Sequence, residues 1–152
     1  MSTPKTGQHT DAYPRPSVTV DIVLVTADDH PRVLLIRRRN APYAGHWALP
    51  GGFVDENERL IDAARRELKE ETGLDQADLE QLHTFGDPGR DPRGWTVSVV
   101  YMARVWPQFL TPKAGDDAAE VQWFPLDGLP PLAFDHLDVM NRVKMRMKDR
   151  AG

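Results

Sequence analysis

Apolar and β-branched positions divide the chain into a series of short predicted strands. The segment at 17–26, SVTVDIVLVT, is almost continuously apolar in its later half, which predicts a strand buried on both faces. A polar turn and a second apolar run at 32–39 follow it, and the pair predicts a hairpin. The remaining strands are predicted at 46–49, 79–85, 95–106 and 120–125.

Two helices are predicted, one in mid-chain at about 58–72 and one near the end at 134–150. Residues 55–57 can cap the first helix, and Gly73 is suited to end it. Each helix carries an apolar row that can pack on a sheet. These rows are Leu60, Ala64 and Leu68 in the first helix, and Leu137, Met140, Val143 and Met147 in the second. Mixed strands with one helix in mid-chain and one at the end indicate an α/β/α sandwich with a mixed sheet.

The composition is that of an ordinary globular protein. With 152 residues, 40% of them hydrophobic, the chain is long enough for one domain with its own core. We expect a flexible, proline-containing tail at 1–16 and a domain at 17–150. The net charge of −4 argues against nucleic-acid binding, and the chain shows no long apolar run and no targeting signal. We therefore expect a cytoplasmic protein that binds neither nucleic acid nor membranes.

The mid-chain helix concentrates negative charge on one face. Glu67, Glu70 and Glu71 stand at positions i, i+3 and i+4, where their carboxylates repel one another unless a cation neutralises them. Oxygen ligands on a rigid helix suit Mg²⁺ or Mn²⁺, which also bind phosphates. A solvated acidic helix is the alternative. The turn LPGG at 49–52 favours the metal site, because it gives close backbone access directly before the helix.

The stretch at 52–74 resembles a known family signature. It reads GFVDENERLIDAARRELKEETGL and fills every fixed position of the Nudix hydrolase signature, G-x5-E-x7-R-E-U-x-E-E-x-G-U with U aliphatic. The resemblance implies the same sandwich fold, with the signature forming a loop-helix-loop. It also implies hydrolysis of a nucleoside diphosphate linked to another group, by attack of water on phosphorus, with Mg²⁺ (or Mn²⁺) as the cofactor.

The resemblance implies a role for each matched position. The metal ligands would be Glu67, Glu70, Glu71 and the carbonyl of Gly51. Glu58 would reach the same site through water or a second metal. Arg66 would hold Glu67 in place, a role that is compatible with an ordinary helix salt bridge.

The general base has several candidates. In this family it is either a signature glutamate or an acidic residue on a later loop. The segment AGDDAAEVQWF offers Asp116, Asp117 and Glu120, and the spacing back from Trp123 favours Asp117 or Glu120. A solvated acidic loop without a catalytic role is the alternative.

The loop at 86–94, GDPGRDPRG, resembles that of the ADP-ribose pyrophosphatase branch, which carries a proline at about this distance after the signature. Arg90 and Arg93 lie in this proline-restricted turn and are candidates to bind the diphosphate or the terminal ribose through their planar guanidinium groups. Arg37 is a further phosphate candidate. For all three arginines the alternative is solubilising surface charge.

Adenine needs an aromatic or apolar face. Phe53, Trp47 and Trp95 are the candidates, and each is equally plausible as a core residue.

The resemblance therefore favours a magnesium-dependent ADP-ribose pyrophosphatase that forms AMP and ribose 5-phosphate from a small-molecule nucleotide. One alternative is a nucleoside-triphosphate-sanitising (MutT-like) pyrophosphohydrolase of the same family. Another is a non-catalytic ADP-ribose sensor, but such regulators usually add a DNA-binding wing and often have decayed signatures. Because the chain ends soon after Arg150 and its signature is intact, we expect the enzyme. A homodimer is expected by resemblance alone.

Overall fold

The computed structural model describes residues 13–115 and 118–151. The strands are β1 (Ser17–Thr26), β2 (Arg32–Arg38), β3 (Trp47–Ala48), β4 (Gly51–Phe53), β5 (Glu80–Phe85), β6 (Thr96–Val105) and β7 (Ala118–Pro125). The helices are α1 (Leu60–Thr72) and α2 (His136–Ala151), and a short 3₁₀ turn covers Pro107–Phe109. Apart from β4, which lies in the predicted glycine turn, the strands follow the predicted apolar runs to within about two residues.

The strands form one mixed sheet in which β1 is central. The order is β3-β2-β1-β6-β5, with β4 paired to β1 and β7 paired to β2. β1 runs parallel to β6 along its whole length. It meets β2 antiparallel at Val25↔Val33, which confirms the predicted hairpin, whereas its first half pairs with β4 instead. The glycine strand therefore occupies the place where β1 and β2 diverge.

The two helices cover opposite faces of this sheet. Ile22 and Leu24 of β1 pack in the same cluster as Leu68 of α1. The intervening residues of β1 face the other way and pack with Val139 and Met140 of α2. This alternation follows from the period of two along a strand. It confirms the predicted α/β/α sandwich.

The predicted cap of α1 was wrong. The helix begins at Leu60 and its cap residue, Arg59, makes no side-chain capping bond. Glu58 stays outside the helix because its carboxylate accepts a hydrogen bond from the Asp55 backbone N–H, which closes a turn before α1. At the other end Gly73 has a φ of 76° and ends the helix as predicted.

The predicted apolar row of α2 was only partly correct. Met140 and Val143 are fully buried, but Leu137 is 55% exposed and Val139 is buried instead. Leu137 lies in the first turn of the helix, on the side that faces away from the sheet. Neither helix in the described ranges is both long and apolar enough to cross a membrane.

Candidate active site

Strand β4 presents the backbone of Gly51 to helix α1. Hydrogen bonds join Ile22 N–H to Pro50 O at 2.8 Å and Val54 N–H to Val18 O at 2.9 Å. In an antiparallel ladder, bonded and non-bonded pairs alternate, so Gly51 belongs to a non-bonded pair with its partner on β1. Its N–H and C=O therefore point away from β1. The N–H donates to Glu71 Oε2 at 3.0 Å, which places the carbonyl at the same edge as that carboxylate.

Gly52 is needed because Glu67 lies against it. A Cβ atom at Gly52 would lie 2.5 Å from the carboxyl carbon of Glu67, well inside van der Waals contact. The glycine pair thus lets one carboxylate bond to the backbone of β4 and a second pack directly onto it.

We expect Gly52→Ala to weaken divalent-metal binding by about tenfold or more, because Glu67 must leave its position and ligand-orienting contacts are typically worth that much. Titration of the folded variant with Mn²⁺ measures the effect. Gly86→Ala is the matched control, since a Cβ there meets Val97 at an ordinary 3.5 Å. Wild-type Mn²⁺ affinity in Gly52→Ala would show that Glu67 is not a ligand.

Arg66 gathers the other carboxylates of the signature. Its guanidinium donates to both oxygens of Glu58 at 2.8 and 2.9 Å, to Glu67 Oε1 at 2.8 Å and to Glu70 Oε2 at 3.3 Å. It also donates to the carbonyl of Phe53 at 3.0 Å, which ties α1 to the end of β4. The hydrogen bonds from Arg66 and from the backbone N–H of Asp55 lower the pKa of Glu58 to about 2. The carboxylates of Glu58, Glu67 and Glu70 therefore all accept hydrogen bonds from the guanidinium of Arg66.

These groups have the chemistry of a hard-cation site, although the described residues hold no ready-made cluster of three metal-binding side chains. Every candidate donor is an oxygen, which suits Mg²⁺ or Mn²⁺. Glu71 is largely buried against Gly51, whereas the Glu70 side chain is 57% exposed and bonded to Arg66 at 3.3 Å. The carboxylates, the outward carbonyl of Gly51 and the side-chain-free approach at Gly52 fit a divalent cation.

A cleft connects this region to the loop at 86–94, the arginine loop, which contains Arg90 and Arg93. It lies between β4, buried polar residues of β1 and β6, and the segment before α2. Its lining includes Thr19, Asp21, Arg38, Gly51, Gly52, Glu71, Arg90, Asp91, Arg93, Ser98, Phe134 and His136. The structure therefore places Gly51 and Glu71 in the lining of the same cleft as Arg90 and Arg93.

Arg93 lies at the mouth of this cleft in a fixed orientation. Its guanidinium donates to both oxygens of buried Asp91, at 3.1 and 2.8 Å, and lies 4.8 Å from the ring centre of Phe53 and 4.9 Å from that of Phe134. Burial favours the neutral form of Asp91, but hydrogen bonds from Arg93 outweigh it and hold the pKa of Asp91 below its usual range. Phe134, which has a φ of 53°, was not among the site residues predicted from the sequence.

Arg90 is committed to internal contacts. Its side chain is only 5% exposed and forms a two-point bond to Asp135, at 2.9 and 2.6 Å, with a third bond to Ser98 Oγ at 2.7 Å. The predicted substrate contact of Arg90 stays a prediction. Its contacts join the loop at 86–94 to Asp135, the residue before α2.

Arg37 and Glu120 contact each other rather than the cleft. They are direct partners across β2 and β7 and form a half-exposed ion pair at 2.6 Å. Neither is among the described residues that line the cleft. Of the adenine candidates, Trp47 packs with Phe124 in the core, and Trp95 is exposed.

Asp116 and Asp117 lie outside the described residues. The loop that leads to them is anchored at the end of α1, where Lys113 N–H donates to Thr72 O at 2.7 Å and Gly115 N–H donates to Glu71 O at 2.9 Å. The chain thus reaches residue 116 from a point bonded to the backbone of the signature helix.

A buried polar cluster forms the floor of the cleft. Asp21, in the middle of β1, lies with its Oδ2 3.7 Å from His136 Nε2, and Thr19 and Ser98 bond to each other beside it. Burial raises the pKa of Asp21 and lowers that of His136. In the sequence, this cluster is indicated only by Asp21, an aspartate inside an otherwise apolar run. Its partners Ser98 and His136 lie far away along the chain, so no local pattern predicts them.

Known proteins are similar in sequence to this chain over most of its length. Residues 15–143 match the NUDIX domain. An ADP-ribose pyrophosphatase of Methanocaldococcus jannaschii is 45% identical over 137 residues, which is 90% of this chain and 78% of that protein. The ADPR responsive transcriptional repressor NtrR of Acinetobacter baylyi is 38% identical, and the match spans 91% of this chain but 57% of the repressor.

The fold is shared with solved structures as well. The NUDIX domain of Shewanella oneidensis NrtR, in a cocrystal structure with ADP ribose, aligns with a TM-score of 0.82 at 39% identity, over 90% of this chain and 91% of that one. The sequence match, the fold and the intact signature agree, and the family predicted from residues 52–74 is confirmed. This protein belongs to the NUDIX domain family.

Proposed function

We propose that this chain is a divalent-metal-dependent hydrolase that cleaves the diphosphate of ADP-ribose into AMP and ribose 5-phosphate. The observation that carries the proposal is the cleft, whose lining joins Gly51, Gly52 and Glu71 of the carboxylate site to Arg93 and Phe134. The ADP-ribose pyrophosphatase from Methanocaldococcus jannaschii and the ADP ribose bound to the Shewanella domain support the same substrate.

Glu67, Glu70, Glu71 and the carbonyl of Gly51 are the proposed ligands of Mg²⁺, with Mn²⁺ as an alternative. A bound cation supplies charge neutralisation at the diphosphate and acidifies the attacking water. Arg66 holds Glu67 and Glu58 in place, as its hydrogen bonds indicate. Asp117 or Glu120 is the proposed general base.

Substrate selection is proposed to reside at the cleft mouth. Asp91 and two phenylalanine rings hold the Arg93 fork, and among the described residues its Nη1 has no hydrogen-bond partner. That N–H group can donate to a phosphate or ribose oxygen with little further ordering of the side chain. Phe53, which is 42% exposed, offers an aromatic face beside it. Arg90, which is bonded to Asp135 and Ser98, and Arg37 remain weaker candidates for a substrate contact.

We expect ADP-ribose to be preferred over any nucleoside triphosphate by at least about tenfold in kcat/KM, or roughly 1.4 kcal/mol. Arg93→Ala should raise KM for ADP-ribose more than KM for a triphosphate, because the orienting fork is lost. Arg93→Lys should restore only part, since a point charge cannot replace the fork. Steady-state kinetics on ADP-ribose, NADH, diadenosine polyphosphates and 8-oxo-dGTP measure these changes.

Arg142→Ala is the control for this series, because Arg142 lies on the exposed side of α2 and does not line the cleft. Faster hydrolysis of 8-oxo-dGTP than of ADP-ribose by the wild-type protein would overturn the substrate assignment and favour the triphosphate-sanitising alternative.

A sensor of ADP-ribose is the second candidate. It is favoured by the similarity to the Acinetobacter repressor and to the Shewanella NrtR domain. Calorimetry and product analysis separate the two functions, since a sensor binds ADP-ribose without releasing AMP in the presence of Mg²⁺. Dimerisation, a cytoplasmic location and a domain boundary at residue 17 stay predictions, and sedimentation analysis tests the first.

A further inference from the structure

A buried histidine at the start of α2 is hydrogen-bonded to the segment that leads into β4. His136 is the first residue of α2 and is almost completely buried. Its Nδ1 accepts the backbone N–H of Leu49 at 3.1 Å, a contact between residues 87 positions apart. None of the roles proposed above uses this side chain.

The contact is one of three that fix consecutive residues. Leu49 is bonded to α2 through His136, Pro50 is bonded to β1 through its carbonyl, and Gly51 is bonded to α1 through Glu71. Each bond comes from a different element of the fold. The direction of the Gly51 carbonyl, which follows from this ladder, therefore depends on all three.

We propose that His136 is a positioning residue for the metal site, which fixes the segment at 49–51 so that the Gly51 carbonyl lies beside Glu71. The inference rests on the metal-binding part of the proposed function and not on the identity of the substrate. The hydrogen bond of His136 to this segment goes to the Leu49 backbone N–H, so we place its effect in the backbone.

The choice of histidine follows from the geometry of its two nitrogens. Nδ1 must carry a lone pair to accept the Leu49 N–H, which places the proton of the neutral ring on Nε2, facing Asp21 Oδ2 at 3.7 Å. The hydrogen bond at Nδ1 thus orients the ring, and Nε2 faces the carboxylate at a distance longer than a hydrogen bond. Without an acceptor, the Leu49 N–H would be left buried and unpaired, and the strand would shift to find another partner.

Two amide variants test which ring nitrogen of His136 is needed. The Oδ1 atom of asparagine lies close to the position of Nδ1, whereas the Oε1 atom of glutamine lies closer to that of Nε2. We expect His136→Asn to keep Mn²⁺ affinity within about threefold of the wild type. We expect His136→Gln and His136→Leu to weaken Mn²⁺ binding by about tenfold or more, the size of effect typical of groups that orient metal ligands.

Calorimetry measures Mn²⁺ binding without substrate, and thermal unfolding confirms that each variant is folded. Amide hydrogen exchange measures directly whether the Leu49 N–H is hydrogen-bonded. Slow exchange at Leu49 in His136→Asn and fast exchange in His136→Gln, in step with Mn²⁺ affinity, support the proposal. His83→Leu, at an exposed histidine, is the control.

Equal Mn²⁺ affinity in the asparagine and glutamine variants would overturn the proposal, as would a failure of the wild-type protein to bind Mn²⁺. If His136→Leu does not fold, the two amide variants still decide the outcome. If the wild-type protein binds Mn²⁺ but does not hydrolyse ADP-ribose, the proposed reaction is wrong. The role of His136 is then still decided by Mn²⁺ binding in the asparagine and glutamine variants.

Discussion

Replacing Glu70 with glutamine is expected to lower turnover of ADP-ribose by roughly a thousandfold or more while the protein stays folded. The variant loses one charged oxygen ligand, and metal stabilisation of transition-state charge is worth several kcal/mol. Glu70 is well suited to this test because its side chain is mostly exposed and contacts Arg66 at a long 3.3 Å. Its removal therefore disturbs little else.

Stability should change in the opposite direction to activity. Glu70 lies near two other carboxylates that share Arg66, so its neutralisation relieves repulsion. The thermal midpoint without metal should remain level or rise, and calorimetry measures it. Asp62→Asn, at an exposed position on the same helix, is the matched control for loss of a helix carboxylate.

Glu71→Gln extends the test to a buried ligand. The amide oxygen of glutamine can still accept the Gly51 N–H, so the charge is removed while the backbone contact can be kept. A similar loss of turnover is expected. Near-full activity in either glutamine variant would contradict the assignment of that glutamate to the metal site.

The fold was predictable because its strands and helices carry their own signals. β1 and β6 are almost continuously apolar, which is what burial between two helices requires. The apolar row of α1 and Gly73 at its end are equally local signals. Strand β4 has no such pattern, because two of its three residues are glycines and it is defined only by pairing with β1.

The differences within the site arise from contacts across the sheet. The sequence predicts similar roles for Arg90 and Arg93, but Arg90 is buried against Asp135 and Arg93 lies at the cleft mouth. The pairing of Arg37 with Glu120 depends on the register between β2 and β7. These contacts join residues 45 and 83 positions apart, and no local pattern encodes them.

The general base gives the second large expected effect. Glu120 already forms a 2.6 Å ion pair with Arg37, and its carboxylate would have to leave this partner to act on water. The loop before residue 116, in contrast, is bonded to the Glu71 backbone through Gly115. These contacts of described residues lead us to propose Asp117 ahead of Glu120.

Asp117→Asn is expected to lower turnover by about 10²–10⁴-fold with little change in Mn²⁺ affinity, since that is the usual contribution of proton transfer. Glu120→Gln should change turnover only slightly, and the double variant should match Asp117→Asn. The rate–pH profile is the second measurement, because loss of the base should remove the acidic limb that we expect in the wild-type profile. If both single variants and the double variant keep wild-type turnover, Asp117 and Glu120 are excluded as the base, and the candidates become the signature-helix glutamates Glu67, Glu70 and Glu71, with Asp116→Asn as the variant that tests the loop once more.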